Sequence, residues 1–221
     1  MFIGHFAVGF AAKRFAPRTS LALLLAAPMF LDLLWPLFLL LGWEQVRIDP
    51  GNTRFTPLDF VHYPWSHSLV MSFFWGIAFA LSYYAVTKYR PGTVVIGIGV
   101  VSHWALDWIT HRPDMPLYPG GRNYGLGLWN SIAATVLVEV GMLVAGVWIY
   151  ASLTRARDRI GRYGFAGYVL LLVALYGANL FSGAPPSVLA IALSTIALGV
   201  VLIPWAWWFD CHRDPATVAS P

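Results

Sequence analysis

The chain has 221 residues, 58% of them hydrophobic and only 11% charged, with a net charge of +4 and a single cysteine. Soluble globular domains carry about 25% charged residues, so this composition excludes that class and points to a membrane. Lone Cys211 excludes an internal disulfide and a cysteine-based metal site, and basic residues confined to loops are not a nucleic-acid footprint.

Taken in chain order, residues 1–12 are apolar but too short to cross a bilayer, and predict a short half-inserted helix. The stretch is not a signal peptide, because Lys13, Arg14 and Arg18 follow the apolar run instead of preceding it. A span needs about 20 apolar residues. Six stretches qualify, at 20–42, 66–87, 92–110, 127–151, 164–182 and 187–209, so the expected fold is all-α and polytopic. The last two spans hold no Asp, Glu, His, Lys or Arg, and "WAWWF" at 205–209 reads as an interfacial aromatic girdle after a kink at Pro204. Residues 1–150 therefore form the expected chemical core of a single membrane domain. Residues 151–221 supply two packing helices, with a surface suited to a membrane-protein partner, and a tail.

Basic residues assign the sides. Lys13, Arg14, Arg18, Lys88, Arg90, Arg155, Arg157, Arg159, Arg162 and Arg213 fall on one side; Arg47, Arg54, Arg112 and Arg122 fall on the other. The excess places the 13–18 loop and the C-terminus in the cytoplasm, and the 43–65 and 111–126 loops outside.

"SHWALDWITH" at 102–111 breaks the hydropathy of the third span. A charged side chain at the bilayer centre costs at least about 2.5–3.5 kcal/mol, so something must offset it. His103, Asp107 and His111 recur every four residues along one helix face. A lone intramembrane histidine is more often part of a polar stripe gluing helices together than a ligand. Here other candidates reach the same depth. Asp32 and Glu139 lie about 18 Å from the cytoplasmic ends of their spans, His103 and Asp107 about 16–22 Å along theirs, and His5 about 12 Å up. His62 and His67 in "HYPWSHS" stand at the outer entrance of the second span.

Haem ligation would not want carboxylates beside its histidines. A proton or ion pathway would use the same residues, and so would a structural polar network in a non-enzymatic subunit. No arginine or lysine sits at the depth of Asp32, Asp107 and Glu139, which favours a cation. Imidazole with carboxylate and no thiolate suits zinc, with manganese as a second choice. His111, Arg112 and Asp114 in "THRPD" are placed at the outer mouth, as headgroup contacts or as an ordinary helix end.

In order, His5, Asp32, "HYPWSHS", "SHWALD" and the acidic fourth span resemble the membrane-bound metal-dependent hydrolases, a family that includes a LexA-regulated inner-membrane protein of enterobacteria. The resemblance covers residues 1–115. His5, the His62/His67 pair and the His103/Asp107 pair match the family's pattern. "PMFLD" lacks the first of the family's two aspartates, and "HYPW" lacks the Arg-Gly that follows the first histidine. The resemblance implies metal ligands at His5, Asp32, His62, His67, His103 and Asp107; Asp107 and Glu139 are the catalytic candidates, Glu139 being read as a further ligand, a partner behind the ligands or the general base. The same resemblance implies hydrolysis of a lipid or other amphiphilic ester or phosphodiester by a metal-activated water, distantly as in zinc phospholipase C, in the bacterial inner membrane.

Overall fold

The computed structural model describes residues 1–216. Helix α1 (Ile3–Ala12) leads through a basic turn to α2 (Leu21–Leu40), which Ser20 caps by accepting the Leu23 amide. A hairpin follows, β1 (Gln45–Ile48) antiparallel to β2 (Leu58–His62), with Val46 opposite Phe60 and Arg47 opposite Asp59. A single turn, α3 (Pro64–His67), breaks at Ser68, which caps α4 (Leu69–Thr87). Helix α5 (Arg90–Thr110) returns across the bundle to a loop closed by the short pair β3 (Met115–Pro116) and β4 (Asn123–Tyr124). Ser131 caps α6 (Ile132–Leu153); then come β5 (Thr154–Ala156), α7 (Arg159–Phe181), α8 (Val188–Asp210) and β6 (Arg213–Pro215), which pairs with β5.

Helices α2 and α4 to α8, of 19 to 23 residues, are long and apolar enough to cross a membrane. At about 1.5 Å per residue they span about 28–35 Å, the thickness of a hydrocarbon core. All six expected spans are present. The second begins at Leu69 because the helix is interrupted at Ser68, and the fourth at Ile132 because Gly127 takes a left-handed φ of 73° and a 3₁₀ turn precedes the cap. The fifth starts earlier than expected, at Arg159, where Asp158 caps it through the Gly161 amide (2.9 Å). Helix α8 continues through Pro204. The final residues of the tail, 217–221, lie outside the described residues.

The bundle has two chemically different ends. At one, Asp210 accepts from Lys13 Nζ (2.9 Å), the Leu21 amide (2.8 Å) and the Tyr150 hydroxyl (2.7 Å), and the β5–β6 pair closes over the chain. The other end carries the β1–β2 hairpin, the 111–131 loop and the α7–α8 turn.

Helix α1 is the expected short N-terminal helix. It is enclosed by α2, α5, α6 and α7, with Ile3, His5, Phe6 and Phe10 essentially inaccessible. Lipid is as apolar as a leucine side chain, so close backbone approach takes over from hydrophobic burial in holding such helices together. At Gly146 of α6, a Cβ would lie 2.4 Å from the Ala7 carbonyl oxygen of α1; at Gly99 of α5, one would lie 2.9 Å from Ala27 Cβ of α2. These two contacts fix the mutual depth of the helices that carry His5, Asp32, His103, Asp107 and Glu139.

Candidate metal centre

Asp107 and His103 share a face of α5, one turn apart, and both are buried. The α2–α5 contact brings Asp32 alongside them, and α3 delivers His67 from the entrance of α4. His67 Nε2 lies 3.2 Å from His103 Nε2, 3.5 Å from Asp32 Oδ1 and 3.9 Å from Asp107 Oδ2. His103 Nε2 lies 3.1 Å from Asp107 Oδ2 and 3.8 Å from Asp32 Oδ1. Zinc bonds of about 2.0–2.1 Å in a tetrahedron put ligand atoms about 3.3 Å apart; Asp32, His67 and His103 form one compact group at comparable spacings, and Asp107 joins it through His103 and His67.

The far sides of both imidazoles are anchored. His103 Nδ1 lies 2.7 Å from the Pro28 carbonyl, which can only accept, so the ring proton is on Nδ1. His67 Nδ1 donates to Ser66 Oγ (2.6 Å); Ser66 Oγ in turn donates to Glu44 Oε2 (2.6 Å), and the Ser66 amide donates to Glu44 Oε1 (2.7 Å). Burial raises the Glu44 carboxyl above its ordinary range, against the pull of those Ser66 bonds. In their neutral form, rings held this way present bare lone pairs at Nε2. Two bare lone pairs facing each other at 3.2 Å repel, and two carboxylates beside them add negative charge. The donor set therefore fits a cation.

His5 stacks on His103, with ring centroids 4.0 Å apart and planes 3° from parallel, and its Nε2 lies 3.1 Å from Asp107 Oδ1. It makes a second compact group with His103 and Asp107, while its buried Nδ1 has no hydrogen-bond partner among the described residues. The Met1 nitrogen also donates to Asp107 Oδ1. Glu139 Oε2 accepts the amides of Phe2 (2.8 Å) and Gly4 (3.3 Å), so Glu139 holds the first turn of α1; its buried Oε1 has no hydrogen-bond partner.

His62 stands apart. It is exposed at the end of β2, opposite Gln45, because the chain turns at Tyr63 and Pro64 before His67 points inward. His111 is buried instead of lying at an open mouth. Its Nε2 is 3.7 Å from Asp107 Oδ2, its Nδ1 is 2.9 Å from Asp114 Oδ1, and Tyr63 donates to the same Asp114 oxygen at 3.0 Å. Arg112 lies behind it, bonded to Asp59, Asn52 and Asp114. Sequence reasoning left out the Pro28 carbonyl, Glu44 and Tyr63; the acid at Glu44, just outside a hydrophobic span, was the one available signal.

A cavity of about 330 Å³ opens beside this cluster. Asp32, His67, Asp107 and His111 form its polar wall. Met29, Leu33 and Phe60 are among its apolar lining, together with Leu198 and Leu202 of α8 and Leu175 of α7. Helices α7 and α8 are thus walls of the site as well as packing elements.

The family model described as "YdjM inner membrane protein" matches residues 1–186. The chain belongs to this family. It is an integral inner-membrane protein, and its six apolar helices place it in contact with the lipid bilayer. No curated protein and no solved structure matches it.

Proposed function

We propose that this inner-membrane protein is a metal-dependent hydrolase of lipid or other amphiphilic esters or phosphodiesters. The observation that carries the reading is the facing pair of His67 and His103 Nε2 atoms, 3.2 Å apart with both Nδ1 atoms anchored elsewhere, between Asp32 and Asp107. Asp32, His67, His103 and Asp107 would hold the ion, zinc by their chemistry or manganese as the second choice, with His5 as a fifth donor. Bound there, such an ion supplies Lewis acidity and lowers the pKa of water in contact with it to about 7.

The chain's own residues do the rest. The Pro28 carbonyl and the Ser66–Glu44 pair hold a proton on each Nδ1 and aim each Nε2 inward. Asp107 bridges His103 and His5 and lies 3.7 Å from His111 Nε2, whose other ring nitrogen is held by Asp114. Glu139 acts on the reaction as a positioning residue, through the first turn of α1 and so through His5. The apolar cavity wall receives the hydrocarbon part of a substrate while the polar wall faces its ester. The excess of basic residues in the 13–18 loop and at the C-terminus supports a cytoplasmic position for them, with the hairpin end and the site mouth on the outer face of the membrane.

Elemental mass spectrometry of detergent-purified protein tests the reading, beside His103→Ala and Asp107→Ala. Stoichiometric metal in the wild type, lost in both variants, with metal-dependent release from bis(p-nitrophenyl) phosphate or p-nitrophenyl esters, is expected. Metal without turnover would make the site structural, in a non-enzymatic subunit. A folded, metal-free wild type that cannot be reloaded would leave a proton pathway or a polar network.

A further inference from the structure

A second cavity, of about 690 Å³, lies at the hairpin end between the 50–58 loop and the turn joining α7 to α8. It shares Phe55, Thr56, Leu58, Asn179 and Ile191 with the chamber beside the His/Asp cluster, so the two spaces adjoin at these residues. Its chemistry differs from the chamber's. Arg54 is the one ionisable residue lining it among the described residues; the rest are apolar residues, prolines, glycines, small hydroxyls and Asn179. Among the described residues Arg54 has no carboxylate within 4 Å, and Asp59 and Asp114 are engaged by Arg47 and Arg112. Asn179 is a carboxamide on an otherwise apolar stretch of α7, placed at the junction of the two spaces.

The order of environments along this path is cationic and polar at the hairpin end, then the metal-ligating wall, then the apolar residues of α7 and α8. A molecule that satisfies all three carries an anionic headgroup, a linkage and a hydrocarbon chain, in that order. The chamber, at about 330 Å³, is near the lower end of the roughly 300–1,000 Å³ typical of small-molecule sites. We propose that the vestibule is a headgroup subsite selecting anionic lipids over zwitterionic ones, with Arg54 and Asn179 as its specificity residues. The proposal rests on the hydrolase reading only in calling the lipid a substrate; selective binding stands or falls separately.

The test is native mass spectrometry of the purified full chain in detergent, titrated with phosphatidylglycerol, phosphatidylcholine or inorganic phosphate. It is run on wild type and on the His103→Ala background, where the bound lipid cannot be consumed by a His103-dependent reaction. One phosphatidylglycerol per chain, preferred about tenfold or more over phosphatidylcholine on both backgrounds, is expected. Arg54→Ala should abolish the preference while leaving weak binding of both lipids, and Arg54→Lys should restore part of it. Thr195→Trp, which fills the apolar arm, should weaken both lipids equally, and Arg122→Ala, outside the vestibule, should change nothing. Equal affinity for the two lipids in wild type, or a preference that survives Arg54→Ala, overturns the proposal. So does inorganic phosphate that displaces phosphatidylglycerol at comparable concentration, which would make the vestibule a site for soluble anions. A lipid preference found with no metal and no turnover would overturn the hydrolase reading and leave the subsite intact.

Discussion

His67 is useful to a cation only while its proton stays on Nδ1, and that depends on Ser66 and, behind it, Glu44 (2.6 Å in each link). Removing such an outer partner costs about 10–100-fold in metal affinity. Glu44→Ala is therefore expected to weaken metal binding by that range in a chelator-competition titration while the protein stays folded. His62→Ala, on the exposed end of β2, should leave the titration unchanged. An unaltered titration in Glu44→Ala would show that the ring needs no such anchor. The contrast also marks what the sequence makes legible at this scale. His103 and Asp107 can be read from an i, i+4 spacing on an apolar helix, and Asp32 from its depth, because those relations are local. His62 and His67 look equivalent in "HYPWSHS", yet Pro64 and the cap at Ser68 turn one outward and the other inward. Pro28 lies 75 residues from the ring it anchors, and Glu44 is 22 residues from Ser66, so no pattern along the chain joins them.

At the scale of the helices, the six spans were legible because bilayer thickness imposes a length and an apolar composition on each one separately. The short helix α1 is legible too, since ten residues are too few to cross; its enclosure among four neighbours is not, because that depends on contacts far along the chain. The hairpin β1–β2 was likewise read only as a long loop, since strands of four and five residues carry little periodic signal. What seats α1 is the backbone contact at Gly146, where a Cβ would meet the Ala7 carbonyl oxygen at 2.4 Å and Ala7 Cα at 2.8 Å. Backbone cannot rotate away as a side chain can. Overpacking of this kind costs about 1–3 kcal/mol, and more where backbone must shift. Gly146→Val is expected to lower the thermal midpoint in detergent and to displace His5, reducing metal retention. Gly141→Val, on the same helix with open space around its Cβ position, should do neither. Equal behaviour of the two variants would remove the packing argument for how α1 is placed.

Over the whole molecule, the two ends of the bundle have separate duties, and perturbing them should have separable consequences. Asp210 joins the end of α1, the start of α2, α6 and α8 through Lys13, the Leu21 amide and Tyr150. Breaking a largely buried ion pair by removing one partner costs about 3–5 kcal/mol, and Lys13 and Asp210 are about nine-tenths buried. Asp210→Ala should therefore destabilise the fold by about 3 kcal/mol in equilibrium unfolding while leaving metal stoichiometry intact at low temperature, since the knot lies at the opposite end from the cluster. The site end should respond in the reverse manner. A ligand that binds only the folded chain stabilises it by RT ln(1 + [L]/Kd), about 2.7 kcal/mol at one hundred times Kd. Chelation should then lower the thermal midpoint of the wild type, and of Asp210→Ala by a similar free energy, because the two ends share no side chain. It should have no effect on Asp107→Ala, which lacks the carboxylate between His103 and His5. The decisive comparison is the metal dependence of unfolding across these three proteins. Were the His/Asp cluster a hydrogen-bonded polar network, Asp107→Ala would destabilise the chain with or without metal, and chelation would move none of the three midpoints.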